Sequence, residues 1–452
     1  MKKNNMDLLN GSLWDKILMF ALPLAASNIL QQFFNSADMA VVGQFSGKAA
    51  LAAVGSNNSI INLLINLFVG LSIGTNVIIA RYIGAGNREK ASRAAHTAIT
   101  LSVLCGILVM IVGIIVARPI LELMGSPDDV IDLATLYLRI YFLGMPFIML
   151  YNFGSAILRS IGDTKRPFMC LLFSGIVNVV LNLIFVICFD MSVAGVAIAT
   201  VIANIVSSSM VLYFLTHDNS EVRIERKKLC FDLSVIGEMS VVGIPAGVQN
   251  IMFSLSNLSV QSSLNSLGSS VMAGSVAALN FETFTHFLFN GFGQACVTFT
   301  GQNFGAGKFD RCKKAIKGCI IQALIATLLL SWIFILFREP LIRFYTKDPA
   351  VIPYGLIRMQ ILLASIPLCM FNDVLSCALR GLGKSLVPAL ISVFGICGVR
   401  FIWVFTVFPK NPTFGNLLLV YPVSWLFTTA AVIVAYIIYS KKLLNRKEES
   451  LA

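Results

Sequence analysis

Charge is what this 452-residue chain has least of. Asp, Glu, Lys and Arg make up 12% of it, about half the ~25% of an ordinary soluble chain. Apolar residues reach 57%, against roughly 45–50% in soluble domains. Together these figures exclude a soluble globular enzyme and a disordered chain. They also exclude a porin-like barrel, whose strands alternate polar and apolar residues and read weakly in hydropathy. Histidine is scarcer still, at three residues, and none of the ten cysteines forms the C-x-x-C pair of a zinc site or redox motif. Most cysteines sit in apolar runs and read as small core residues. No H-E-x-x-H, no G-x-S-x-G and no soluble carboxylate pair occurs, so neither catalysis nor a bound metal or cofactor is expected. Gly383-Lys384-Ser385 resembles the end of a Walker A loop, but Ala378 stands where its first Gly belongs and a hydrophobic run precedes it. Without a nucleotide engine, any transport by this chain is driven by an ion gradient or is passive.

What the chain does have is long apolar runs. A helix crossing a bilayer needs about 20 mostly apolar residues. Twelve runs meet that length, at 15–40, 51–80, 95–117, 133–157, 167–189, 193–216, 236–262, 271–300, 316–337, 353–378, 386–408 and 416–440. Pro23, Pro146, Pro245 and Pro367 fall inside them and predict kinks, since each removes a backbone donor. The first run is too long for a cleaved signal peptide, carries Asp38 and leads straight into further spans.

Lys and Arg outnumber Asp and Glu by 34 to 22, and the position of this excess explains it. Twelve spans put both termini on one side. That side collects 25 of the basic residues, in the N-terminus, the even-numbered loops, the central linker (Arg223, Arg226, Lys227, Lys228) and the tail, against six on the other. By the positive-inside rule both termini are cytoplasmic. The basic excess thus follows from topology, and no nucleic-acid partner is needed to explain it.

The two halves resemble each other at an offset of 221–222 residues. Leu22-Pro23 and Asn28-Ile29 recur as Ile244-Pro245 and Asn250-Ile251, Gly84-Ala85-Gly86 as Gly305-Ala306-Gly307, and Leu158-Arg159 with Gly162 and Pro167 as Leu379-Arg380 with Gly383 and Pro388. Matches at one register over a whole half indicate duplication. Six spans per copy is an even number, so the copies share one orientation, as parallel repeats do, with the substrate path expected at their interface. The fold expected is an all-α integral membrane protein of twelve transmembrane helices in two six-helix repeats. Residues 1–216 form the first lobe, 217–235 a hydrophilic linker and 236–452 the second lobe.

Polar groups inside such spans are costly unless they meet a partner or a wet cavity. In the first span Asn28, Gln32, Asn35 and Asp38 lie along one helical face; in its repeat mate Asn250, Ser254, Asn257 and Gln261 do the same. Equivalent stripes suit two helices that face each other across a substrate cavity, the alternative being hydrogen bonds between packed helices. Three acids lie deep in spans, Asp38, Glu282 and Asp373, and their repeat mates are Val260, Ile60 and Asn152. A purely structural acid tends to be duplicated with its scaffold, so this asymmetry favours a functional role for Asp38 and Glu282. Glu282 and His286, four apart on one face, form either a proton-exchanging pair or a satisfied buried one. Asp373, seven residues from Arg380, either pairs with that arginine or joins the coupling groups.

At this point the chain resembles a family, the multidrug and toxic compound extrusion (MATE) transporters, over essentially its whole length. The resemblance is carried by Ala21-Leu22-Pro23, Phe34 to Gly43, Gly70-Leu71-Ser72-Ile73-Gly74, Gly84-Ala85-Gly86, Leu158 to Thr164, Gly301 to Gly307 and Leu379 to Gly383. It implies two six-helix lobes around a V-shaped cavity and export of lipophilic, often cationic compounds in exchange for H⁺ or Na⁺. It implies a bacterial inner-membrane location, a monomer, and no partners beyond substrate and lipid. By the same resemblance Asp38 stands at the family's first-helix Asp, tied to cation binding. Asn178 and Asn182 fall on the fifth-helix pattern, where many DinF-like members carry Asp at the position of Asn182, which leaves Asp38 as the main acid of that lobe. Glu282 matches a Glu found in many bacterial members, and the seventh helix lacks the Glu typical of NorM-like ones. The competing reading is a flippase for a lipid-linked saccharide, which needs several cationic side chains around its path. The spans contain Arg139, Arg358 and Arg400.

Overall fold

The computed structural model describes residues 6–123 and 128–445; the basic residues Lys2, Lys3, Arg446 and Lys447 lie outside them. Among the described residues there is no strand. The first half folds as α1 (Trp14–Phe45), α2 (Gly47–Gly84), α3 (Arg88–Leu123), α4 (Asp128–Leu143), α5 (Met145–Ser160), α6 (Lys165–Leu183, continued by a π-helical Ile184–Cys188) and α7 (Ser192–Thr216). The second half folds as α8 (Leu233–Asn265), α9 (Ser269–Gly305), α10 (Phe309–Leu336), the short α11 (Arg338–Tyr345) and α12 (Ile352–Gly381). It closes with α13 (Leu386–Ser392), α14 (Val399–Ile402) between two π-helical stretches, and α15 (Phe414–Ser440).

All twelve expected spans fall on helix. Among the described residues, ten helices are individually long and apolar enough to cross a membrane. The run expected at 133–157 is a pair of helices, Val130–Leu143 and Met145–Ser160, bent by 47°. The break falls at Gly144, and Pro146 sits in the first turn of α5, where its missing N–H costs nothing. Pro23, Pro245 and Pro367 lie inside unbroken α1, α8 and α12. The span expected at 271–300 is the 37-residue α9, long enough but made polar by Asn280, Glu282, His286, Asn290 and Gln294. Of the ten cysteines seven are buried, and Cys188 is exposed.

The duplication is written into the backbone. Six of the seven left-handed glycines among the described residues form pairs 221 residues apart: Gly47 and Gly268 (φ +84° and +101°), Gly86 and Gly307 (+68° and +71°), Gly162 and Gly383 (+87° and +72°). All six sit where one helix gives way to the next, and a side chain there would resist the turn.

Contacts divide the chain into two compact units, and the division does not fall at 216 and 236. Of the described residues, the first unit comprises Met6 with 26–243, and the second comprises 7–25 with 244–445. The start of α8 therefore packs in the first unit, and the start of α1 in the second. Glycines permit both packings. A Cβ on Gly74 of α2 would lie 2.2 Å from the Met239 carbonyl oxygen, and one on Gly291 of α9 would lie 2.7 Å from that of Ala21. Backbone meets backbone at these crossings, as in small-residue interfaces between membrane helices. The expected linker is likewise part of the first unit. Val222 and Ile224 are buried in it, and Ile224 N donates to Leu215 O at 3.0 Å.

Candidate functional site

In the first unit the polar face of α1 brings Asp38 against α6 and α7. Asn182 Nδ2 donates to the Asp38 carboxylate and to Asn178 Oδ1 at 3.3 Å. Asn178 Nδ2 in turn donates to Thr200 Oγ1 at 3.3 Å, and the Thr200 hydroxyl, which donates to the Val196 carbonyl oxygen at 2.9 Å, lies close to the carboxylate. Asn178 and Asn182 are four apart, so one face of α6 presents both. Tyr137 and Tyr141 of α4, stacked at 6.1 Å, lie within electrostatic reach of the same acid. Asp38, Asn178 and Asn182 are all buried, and Asn182 Oδ1 has no hydrogen-bond partner. A carboxylate, two amide oxygens and a hydroxyl thus gather without a basic side chain bonded to them. Such an oxygen set holds a hard cation or a proton.

The second unit places its buried acids elsewhere and pairs them differently. Glu282 of α9 does not pair with His286. Arg358 of α12 takes both its oxygens, Nε to Oε1 at 2.7 Å and Nη2 to Oε2 at 2.9 Å, and gives its remaining arm to Ser275 Oγ at 2.5 Å. The helical spacing that put Glu282 beside His286 was real, but a guanidinium fork 76 residues away offers a stronger, two-point match to a carboxylate. His286 packs edge-on to Phe289, ring centroids 4.7 Å apart, and neighbours Asp373.

Asp373 does not bond Arg380 either. Arg380 donates to Gln249 Oε1 at 2.7 Å, and Gln249 passes the chain on to Ser392 Oγ at 2.8 Å. Asp373 accepts from Asn290, while its Oδ2 has no partner. Gly293 leaves it room, since a Cβ there would lie 3.0 Å from that oxygen.

Each unit carries one of the two expected polar stripes. On α1 Asn28 and Gln32 are half-buried and Asn35 is exposed. On α8 Asn250, Ser254, Asn257 and Gln261 are half-buried. Ser254 donates to its own helix at Asn250 O, Gln261 to Asn265, and Asn257 Oδ1 accepts from Arg400 at 2.6 Å.

The family described as MatE matches residues 23–184 and again 245–406, two stretches in one register 222 residues apart. The chain belongs to the MATE family. Among curated proteins it is 30% identical over 398 residues to the probable multidrug resistance protein YoeA of Bacillus subtilis, covering 86% of each chain. It is 22% identical over 419 residues to the multidrug export protein MepA of Staphylococcus aureus, covering 89% of this chain and 92% of that one. Among solved structures, an outward-facing MATE transporter of the MOP superfamily matches with a TM-score of 0.89 at 22% identity over 98% of both chains. A Pyrococcus furiosus MOP superfamily transporter, described as having a binding pocket of reverse polarity, matches at 0.88 and 22% over 99% of both. These two share the fold. The MATE chain is a multi-pass membrane protein.

Sequence reasoning missed several groups in this MATE chain. Thr200, Tyr137 and Tyr141 are types common in any membrane helix, and only the packing of α4 and α7 on α1 singles them out. Arg358 and Arg400 did carry a signal, because an arginine within a span requires an acceptor; the partners, Glu282, Ser256 and Asn257, are remote in sequence. Arg400 is fully buried. It lies 5.2 Å from the Phe253 ring and 4.6 Å from the Tyr421 ring, and no carboxylate bonds it.

Proposed function

We propose that this chain is a secondary active exporter of lipophilic, often cationic compounds, working by antiport with H⁺ or Na⁺ through alternating access. The observation that carries the reading is the Asp38 cluster: a buried carboxylate ringed by Asn178, Asn182 and Thr200, with the Asn182 carbonyl oxygen unpartnered. Substrate or coupling ion, but not both, satisfies that negative charge. An ion held a hundredfold more tightly by one state than by the other biases the equilibrium between them by ~2.7 kcal/mol. Binding of the ion on the outer side releases a cationic substrate; loss of the ion to the inner side restores the charge. The names of YoeA and MepA support drugs as substrates.

Asp373, with its unpartnered oxygen and His286 nearby, is the second acid we assign to coupling. Glu282 we now assign to structure, because Arg358 already neutralises it. Nearness to the DinF-like branch, a bacterial inner-membrane location with both termini cytoplasmic, and a monomeric state complete the proposal. Efflux of a fluorescent cation from proteoliposomes, with pH and Na⁺ gradients imposed separately, tests it. Gradient-independent flux overturns antiport.

The flippase reading is the weaker one. Of the three arginines within spans, Arg358 is held by Glu282 and Arg400 is enclosed, which leaves Arg139 as the exposed one. Among the described residues of the spans, one exposed arginine is a poor cradle for a pyrophosphate.

A further inference from the structure

The segment 217–232, expected to be a hydrophilic linker, is strapped to the first unit. Its bonds run to α3 and to the start of α6. Arg166 bridges Asp163 and Asp218, at 3.0 and 2.7 Å. Arg88 meets Glu221 at 2.8 Å, and Arg93 meets Asp232 at 2.6 Å. Cys230 Sγ lies 3.4 Å from Thr97 Oγ1. Asp232 also accepts from Ser234 N and Val235 N, so the strap holds the first turn of α8, the helix whose later residues belong to the second unit.

Beneath the strap, on α3, lies His96, 1% exposed. Its Nδ1 lies 2.7 Å from the Ser92 carbonyl oxygen, and an oxygen of that kind only accepts, so Nδ1 carries a hydrogen. Its Nε2 accepts from the backbone N–H of Glu225 at 3.0 Å, so Nε2 carries none. Both ring nitrogens are committed, and the imidazole that fits is the neutral one. A proton added to Nε2 would point at another donor. The docked strap and the charged ring exclude each other.

We propose that His96 is a pH-sensitive latch on the strap: neutral, it pins the strap at Glu225; protonated, it releases that point. The charged groups around it do not offer a substitute bond. On the strap, the Glu225 carboxylate is exposed and bound to Lys228 at 3.0 Å, which holds it below the usual carboxylate range, and Arg223 also faces that carboxylate. On α3 itself, Arg93 is spent on Asp232. Imidazole titrates within the physiological range. A transporter that admits protons would meet the latch on the face where the charge distribution places this strap.

Hydrogen exchange of the intact protein in phosphatidylcholine nanodiscs tests the latch without any transport assay, so its failure is distinct from failure of the antiport reading. Protection of the Glu225 amide is referenced at each pH to a synthetic 218–232 peptide. In the wild type it falls roughly tenfold between pH 7.5 and 5.5, the size expected for losing one buried hydrogen bond. In His96→Gln, whose Oε1 accepts from Glu225 N at every pH, protection stays high throughout. In His96→Lys, charged throughout, it is low at both pH values. Protection that does not change with pH in the wild type, or that falls equally in His96→Gln, overturns the proposal.

Discussion

Arg358 grips Glu282 at two points, 2.7 and 2.9 Å, with both side chains nearly out of solvent. Breaking a buried pair by removing one partner strands the other, at a cost of about 3–5 kcal/mol. Glu282→Gln therefore lowers the thermal midpoint in detergent, and Glu282→Gln combined with Arg358→Met recovers much of the loss. A single variant as stable as the wild type shows that the pair is not the anchor we describe.

Asp38→Asn keeps the shape of its side chain and its neighbours but removes the charge. Membrane insertion and thermal stability stay at wild-type levels, while gradient-driven efflux falls to background. Wild-type efflux in this variant removes Asp38 from the coupling site.

Thr200→Val separates the two coupling ions. The hydroxyl adds an oxygen to the Asp38 cluster. A sodium ion loses one ligand, and the Na⁺ concentration for half-maximal efflux rises about tenfold, an energy near ~1.4 kcal/mol. A proton-coupled cycle keeps its dependence on the pH gradient. Titration of efflux against each ion reads the difference.

Gly74→Val drives a side chain into the Met239 carbonyl, where a Cβ already lies within 2.2 Å. Backbone cannot give way as a flexible side chain does, so the start of α8 is displaced from the first unit. Overpacking of this kind costs about 1–3 kcal/mol or more, and folded yield falls sharply. Gly237→Val, where a Cβ meets nothing within 4 Å, is the control and expresses normally.

Asp373→Asn reports on the second acid. The carboxylate has one unpartnered oxygen and no salt bridge, so its removal costs little stability. Coupled efflux nevertheless drops. Unchanged efflux and unchanged ion stoichiometry return Asp373 to the scaffold.

Much of this molecule was legible along the chain. Apolar runs of bilayer length read as helices because a backbone in hydrocarbon has no other way to satisfy its own polar groups. The repeat was legible because the same glycines turn the same corners, as Gly162 and Gly383 do. The stripe from Asn28 to Asp38 follows from helical periodicity. Pairing was another matter. Periodicity places Glu282 near His286 and Asp373 on the same helix as Arg380, yet Arg358 holds the first acid and Gln249 takes the arginine.

What the amino-acid sequence determined by itself is therefore local and periodic: the spans, their duplication, and the helix faces on which rare polar groups lie. The tertiary structure alone decided which of those groups meet, because contacts such as Asn182 with Asp38, or His96 with the Glu225 amide, join residues more than 100 positions apart. Charge scarcity sharpened that choice. In a low-dielectric interior each buried polar group must find a specific partner. The packing of whole helices, set by close contacts such as Gly74 on Met239, fixes who that partner is.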